Sequence, residues 1–108
     1  MIRIAATVKK GNIRRVEVSG HGGEKKGSDI VCAAVSAVTQ TALLGLLHHG
    51  EEYVTYSRHD GVLSIETSDA ENGLERNSFN AILTTMMLGL QAIEKEHPDR
   101  VGIELRES

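Results

Sequence analysis

The stretch from residue 30 to residue 47, IVCAAVSAVTQTALLGLL, contains no charged side chain, and it constrains the fold more than any other part of the sequence. Ser28 and Asp29 precede it, and both residue types cap helix N-termini. Gly50 follows it, and glycine is the residue that most often ends a helix. The pattern predicts a helix from Ser28 or Asp29 to about His49 that is apolar on almost every side, so other elements must cover it.

A membrane span is the alternative interpretation of this stretch. It lies at the short end of the length that crosses a bilayer, and it carries the polar residues Ser36 and Gln40 and two threonines. We therefore expect a core helix and no membrane partner. A chain of 108 residues has too few other elements to cover this helix on all sides, so we expect a second copy to cover the rest in a homodimer.

Two hairpins are predicted from short strand-like runs. Apolar and polar residues alternate over residues 1–8 and 13–19, which is the period of a half-buried strand, and a turn separates the two runs. Residues 52–58 and 62–67 are also β-prone. They flank the dipeptide Asp60-Gly61, which favours a tight hairpin turn.

A second helix and a last strand complete the predicted fold. From about residue 74 to residue 96 apolar residues recur every three or four positions, which marks one face of a helix, and Pro98 ends it. Residues 101–106 alternate again. The predicted order is ββαββαβ. We expect an α+β fold with one largely antiparallel five-stranded sheet packed with two helices, as a single domain over residues 1–108.

Composition excludes several classes of function. Twelve Lys and Arg residues are outnumbered by fifteen Asp and Glu, and the sequence has only two tyrosines and one phenylalanine. We therefore expect no direct nucleic-acid partner. The single cysteine cannot form an internal disulfide, which favours a cytoplasmic location. No paired Cys and His spacing indicates a metal, and the glycine-rich segment matches neither common nucleotide motif, so no cofactor is expected.

Cys32 is the candidate nucleophile. It lies near the third position of the predicted helix, where unpaired backbone amides and the helix dipole favour a thiolate. His21 lies eleven residues earlier, in the glycine-rich loop that leads to the cysteine, so a base is tethered close to a nucleophile. The spacing alone leaves open that Cys32 is only a small buried residue and His21 only a loop histidine.

Further residues can support this pair. Asp29 and Ser36 lie three residues before and four residues after Cys32, and so close to its face of the helix. Asp29 can orient His21, cap the helix or do both, and Ser36 is equally compatible with simple packing. The loop that connects His21 to the helix is predicted to be ordered by bound substrate, because it is charged and rich in glycine: Gly20, Gly22, Gly23 and Gly27.

Two motifs resemble the bacterial ribosomal-processing cysteine protease family: Gly20-His21-Gly22-Gly23, and the run DIVCAAVS over residues 29–36. The length and the element order of the chain are also similar to those of the family. The resemblance implies that Cys32 is the nucleophile and His21 the general base, with Asp29 and Ser36 as supporting residues. Gly22 departs from the alanine that the family often has, and the short charged loop lacks the aromatic residue that many relatives carry.

The resemblance also implies a substrate. The family removes a short N-terminal extension from protein twenty-seven of the large ribosomal subunit, and the precursor of such a protein is the expected partner. Two other functions stay open. A non-catalytic module that docks a ribosomal protein segment would tolerate Cys32→Ala. A thiol redox sensor would need a resolving thiol from outside the chain, because the chain has no second cysteine.

Overall fold

The computed structural model describes residues 1–20, 28–68 and 73–108, except for the side chains of Ser28 and Asp29. The described elements follow the predicted ββαββαβ order, with a short 3-10 turn at Glu51–Tyr53. Because of this turn, the third strand begins two residues later than predicted. The elements are β1 (Ile2–Lys9), β2 (Asn12–Ser19), α1 (Ser28–Gly50), β3 (Val54–His59), β4 (Val62–Thr67), α2 (Gly73–Glu96) and β5 (Val101–Glu107).

The five strands form one sheet in the order β3-β4-β2-β1-β5. Three neighbouring pairs are antiparallel, and β5 pairs with β1 in the parallel sense. The prediction of a largely antiparallel five-stranded sheet with two helices is therefore confirmed. Both hairpin turns have two residues at positive φ, namely Lys10-Gly11 and Asp60-Gly61. Such turns match the twist of the strands that they join.

One face of the sheet is apolar and packs against both helices. The pairs Ile4–Val18 and Val16–Ile65 lie on this face. They share a core with the buried side chains of the helices, which include Val31, Val35 and Leu46 of α1 and Phe79, Leu83 and Leu90 of α2. The opposite face is polar: Arg15 donates hydrogen bonds to Glu66 (2.9 Å) and to Glu17 (3.3 Å). The alternation in the sequence is therefore the alternation between helix-facing and solvent-facing residues.

The helix α1 is only partly covered by its own chain. By length and composition alone Ile30–Tyr53 would suffice to cross a bilayer. In the fold, however, Val31 and Val35 are buried against the sheet, and the buried Thr39 hydroxyl donates to the carbonyl oxygen of Val35 (2.9 Å). Ile30 and Leu44, in contrast, are 72% and 68% exposed. The prediction that one chain does not cover this helix on all sides is confirmed.

The two helices pack closely and run antiparallel. A Cβ atom added to Gly45 would lie 3.4 Å from Cδ1 of Ile82, and one added to Gly89 would lie 3.5 Å from Cγ1 of Val38. These contacts leave little room between the two backbones. Small residues at positions 45 and 89 therefore set the spacing of the helix pair.

Candidate active site

Cys32 lies near the N-terminal end of α1. Since α1 begins at Ser28, Cys32 is the fifth helical residue rather than the third. The amides of residues 28–30 have no acceptor within the helix. Side chains on a helix lean towards its N-terminus, so the thiol of Cys32 points back over this first turn. Cys32 therefore directly follows the first turn of α1, with the unpaired amides on its N-terminal side.

Asp29 lies in the first turn of α1, which begins at Ser28. Its backbone is helical, and Asp29 is the second residue of the helix as bounded in the structure. An acidic residue in the first turn still interacts favourably with the positive end of the helix dipole. The side chain of Asp29 lies outside the described part of the molecule, and its role towards His21 stays a prediction.

The face of α1 that carries Cys32 points away from α2. Val38 contacts α2 at Gly89, and Cys32 is rotated from Val38 by about 120° around the helix axis, at 100° per residue. Ser36, one turn after Cys32, lies on the same side. Cys32 is half-buried and packs against the core, whereas Ser36 is exposed. The structure thus brings these two predicted residues to one surface.

Gly20 connects β2 to the segment that contains His21. Its φ is +86°, and a Cβ atom at this position would collide with the carbonyl oxygen of Met1. Both observations require glycine. The predictions for His21, Gly22, Gly23 and Gly27, and for the ordering of their loop by substrate, fall outside the described residues. The position of Gly20 still shows why the backbone immediately before His21 accepts no side chain.

Two of the other histidines lie far from Cys32. His48 and His49 are exposed at the end of α1, which is about 24 Å from Cys32 along the helix axis at 1.5 Å per residue. Their rings contact each other edge to face, with centroids 5.1 Å apart. Within the described ranges, no group of three or more His, Cys, Asp or Glu side chains is placed to hold a metal ion.

The polar face of the sheet holds a depression of about 530 Å³ around Arg15, Glu17 and Glu66. The hydrogen bond to Glu17, followed by that to Glu66, raises the pKa of Arg15 above its ordinary value. Arginine is charged at any physiological pH, so the shift has no catalytic consequence. The depression lies on the face opposite the helices, and it is therefore separate from Cys32.

The chain is similar to known proteases over almost its whole length. Residues 1–102 match the sequence model of the family described as cysteine protease Prp. The ribosomal processing cysteine protease Prp of Staphylococcus aureus is 31% identical over 111 residues, which cover 98% of this chain and 100% of the relative.

Solved structures agree with this similarity. The S. aureus Prp structure with a covalently linked product peptide has a TM-score of 0.84 and 29% identity, and the one with a substrate peptide has 0.83 and 26%. Each match covers 98% of this chain and 100% of the solved chain. SMU.848 from Streptococcus mutans, at 24% identity and a TM-score of 0.80 over 100% of this chain and 96% of that one, shows the same fold.

Proposed function

Because the chain belongs to the Prp family of cysteine proteases, we propose that it removes a short N-terminal extension from a protein of the large ribosomal subunit, with protein twenty-seven of that subunit as the expected substrate. One observation carries the assignment of the nucleophile. A cysteine protease needs a thiol, and Cys32 is the only cysteine in the sequence. Cys32 lies near the N-terminal end of α1, directly after its first turn.

The proposed reaction is acyl transfer through Cys32. His21 accepts the thiol proton, and the sulfur attacks the carbonyl carbon of the scissile peptide bond. The tetrahedral intermediate collapses as His21 returns the proton to the leaving amine, which leaves a thioester. His21 then takes a proton from water, the hydroxide attacks the thioester, and the acid and the free thiol are released. The first-turn amides of α1 are the natural donors to the oxyanion.

Asp29 and Ser36 are proposed as supporting residues. Ser36 is exposed one turn from the half-buried Cys32 on the same side of α1, where a peptide in contact with the sulfur also meets its hydroxyl. Asp29 precedes Cys32 by three residues, a spacing that places it on the same side of α1. Its proposed role is to orient the imidazole of His21.

The proposed setting is the cytoplasm, with the protein as a homodimer. A chain with a single cysteine that must act as a thiol is suited to a reducing compartment. The uncovered side of α1, where Ile30 and Leu44 are largely exposed, supports pairing with a second copy. The Staphylococcus aureus relative has been solved with a substrate peptide, which supports a peptide as the ligand of the Cys32 surface.

The direct test is to incubate the purified protein with the N-terminally extended and the processed forms of the candidate ribosomal protein. We expect the extended form to be cut once and the processed form to stay intact, as followed by mass spectrometry. Cleavage should stop when the thiol is blocked by an alkylating reagent. An extended substrate that stays whole under reducing conditions would contradict the proposal.

A further inference from the structure

The two terminal strands of the sheet differ in how their outer edges are covered. In the described part of the chain, the order β3-β4-β2-β1-β5 leaves β3 and β5 at the edges. Terminal strands offer unpaired amides and carbonyls to any extended segment beside them, and proteins usually shield them. On β5 the amide of Ile103 already donates to Glu94, and an ion pair between Glu104 and Arg106 adds charge. On β3 the run Val54–His59 pairs with β4 in unbroken register, and no described residue covers its outer edge in this way.

The hydrogen bonds of the second hairpin fix which groups of β3 face outwards. The two-residue turn Asp60-Gly61 closes on the pair His59–Val62, which is a hydrogen-bonded pair in hairpins of this kind. At the far end of the same hairpin, the amide of Ser68 donates to the carbonyl oxygen of Tyr53 at 2.8 Å. Hydrogen-bonded pairs alternate along an antiparallel ladder. Both ends of the hairpin therefore give the same alternation.

This alternation leaves the main chain of Tyr56 and Arg58 directed away from the sheet. Thr55 and Ser57 lie in hydrogen-bonded pairs and bond to β4, so the residues that follow each of them face the opposite way. Within the described ranges, no backbone or side-chain group bonds to the main chain of Tyr56 or Arg58. Two amides and two carbonyls are therefore available along the outer edge of β3.

The open edge of β3 runs towards the candidate active site. β2 and β3 have the same direction, because each is antiparallel to β4 between them. Gly20 after β2 and His59 at the end of β3 therefore lie at the same end of the sheet. α1 starts at this end, since it finishes at Gly50 and the short turn Glu51–Tyr53 leads directly into β3. α1 packs on β3, whereas α2 packs on β2 and β5. Cys32 is therefore at the Gly20 end of the sheet, on the β3 side.

The flank of α1 on the β3 side carries Cys32. At 100° per residue, Cys32 is turned by about 60° from the buried Val35, and Val38 is turned by about 60° in the opposite sense. Val38 contacts α2. Cys32 and Ser36 therefore lie on the flank that faces away from α2, above the open edge.

Tyr56 and Arg58 flank the same space from the sheet. They pair with Ile65 and Leu63, which are buried, so their side chains are on the helix-facing side of the sheet. Tyr56 is nevertheless 55% exposed at the edge of this side. An exposed aromatic ring offers a flat apolar surface to one side chain of a neighbouring strand.

We propose that the substrate docks as an additional strand on the open edge of β3, with main-chain hydrogen bonds to Tyr56 and Arg58 and a bulky apolar side chain against the ring of Tyr56. In such strand addition the main chain supplies affinity and register, and alternate side chains supply selectivity. The bound segment leads to the Gly20 end of the sheet, where Cys32 attacks the adjoining peptide bond. The proposal rests on the proposed proteolytic function and specifies how that function selects its substrate.

The first test is amide hydrogen exchange, measured by NMR on Cys32→Ala with and without a synthetic peptide that spans the cleavage site of the extended ribosomal protein. We expect saturating peptide to slow exchange at Tyr56 and Arg58 by at least about tenfold. The internal controls are Thr55 and Ser57, whose amides already bond to β4 and should change little.

The second test separates the main chain of Tyr56 from its ring, in the Cys32→Ala background. Tyr56→Ala removes the ring and should weaken peptide binding by about tenfold in fluorescence anisotropy. Tyr56→Pro also removes the outward amide, a change that edge strands tolerate, and should weaken binding by at least about tenfold more. Leu105→Ala is the matched control, because this leucine is 59% exposed on the other terminal strand. Circular dichroism verifies that each variant is folded.

Peptides N-methylated at one amide at a time give the same information without altering the protein. Only every second amide of an added strand bonds to its neighbour, so the loss of affinity should alternate along the peptide with a period of two. A loss that follows no such alternation would contradict strand addition.

The remaining outcomes separate the docking mode from the proteolytic function. A peptide that the wild type cuts while exchange at Tyr56 and Arg58 is unchanged would overturn the docking mode alone. A peptide that protects both amides but stays uncut would support the docking mode and contradict the function. A peptide that is neither bound nor cut would contradict both. Protection of these amides that rises with protein concentration, without peptide, would assign the edge to a second copy and overturn the proposal.

Discussion

At the scale of single residues, the thiol of Cys32 and the imidazole of His21 should be indispensable. We expect Cys32→Ala and His21→Ala each to lower kcat by more than about a thousandfold, because a nucleophile and its base act as one unit. Stopped cleavage assays on the extended ribosomal protein measure this loss. Cys32→Ala should still bind the peptide, as followed by fluorescence anisotropy.

The control for this prediction is His59→Ala. His59 lies at the tip of the second hairpin with 85% of its side chain exposed, and its Nε2 is 3.5 Å from Oδ2 of Asp60. Its removal should leave the cleavage rate unchanged. Cleavage by His21→Ala at the wild-type rate would show that His21 is not the base. Cleavage by Cys32→Ala at the wild-type rate would rule out the thiol mechanism.

The glycine before His21 provides a second test at the residue scale. Gly20→Ala should destabilise the protein by about 2 kcal/mol or more, since a left-handed residue with a Cβ atom costs 1–2 kcal/mol before any clash, and the carbonyl oxygen of Met1 obstructs this one. The matched control is Gly11→Ala, whose φ is +80° with no atom within 4 Å of the added Cβ. Gly11→Ala should therefore be destabilised only by the left-handed backbone, without a steric clash.

Urea denaturation measures the free energy of unfolding of both glycine variants, and cleavage assays measure their kcat. Gly20→Ala should also lose cleavage rate beyond any loss of folded protein, because it displaces the backbone beside His21. Equal unfolding free energies for the two variants would contradict the steric role of Met1. This contact joins the start of β1 to the end of β2, so the local sequence around Gly20 gives no signal of it.

At the scale of elements, the order of strands and helices and the bounds of α1 followed from local pattern, whereas the position of Cys32 within the helix did not. The uncharged run and Gly50 located α1 correctly, because hydrophobic pattern and stop signals are local. Whether Ser28 caps the helix or enters it depends on residues before it and on tertiary packing, which the pattern does not encode. For the same reason the helical position of Cys32 was predicted two residues too early.

The contact between α2 and β5 gives a prediction at this scale. The amide of Ile103 donates to a carboxylate oxygen of Glu94 at 2.9 Å. This amide is partly buried on an edge strand. Glu94→Ala leaves it without its acceptor and should lower the free energy of unfolding by about 1 kcal/mol. Glu94→Gln keeps an acceptor and should cost less. Glu96→Ala is the control, because Glu96 is exposed in the same last turn of α2. Chemical denaturation measures the free energy of unfolding of each variant. Equal values for Glu94→Ala and Glu96→Ala would contradict the role of this hydrogen bond.

At the scale of the whole molecule, the sequence predicted the sheet, its two helices and the incomplete cover of α1. It did not predict the groove of about 660 Å³ between residues 37–45 and 81–89, because these segments become neighbours only once the two helices lie antiparallel and in contact. The assignment of the dyad rests on sequence and family, since His21 lies outside the described residues. The catalytic residues were therefore predicted from the resemblance to the family, whereas the exposed apolar surface of the helices became visible only in the folded structure.

The last prediction concerns the concentration dependence of stability. If folding and dimerisation are coupled, the thermal midpoint must rise with protein concentration by mass action. A hundredfold increase adds about 2.7 kcal/mol per dimer, and with an unfolding entropy of about 2.1 cal/mol/K per residue the midpoint should rise by about 6 °C. Differential scanning calorimetry at two concentrations measures the shift. Leu88 is 62% exposed on α2, and Leu105 is 59% exposed on β5. Leu88→Glu should show a midpoint that does not depend on concentration, while Leu105→Glu should behave as the wild type does. A wild-type midpoint that stays constant over the hundredfold range would show that the chain folds without a partner, and α1 would then be exposed in the native protein.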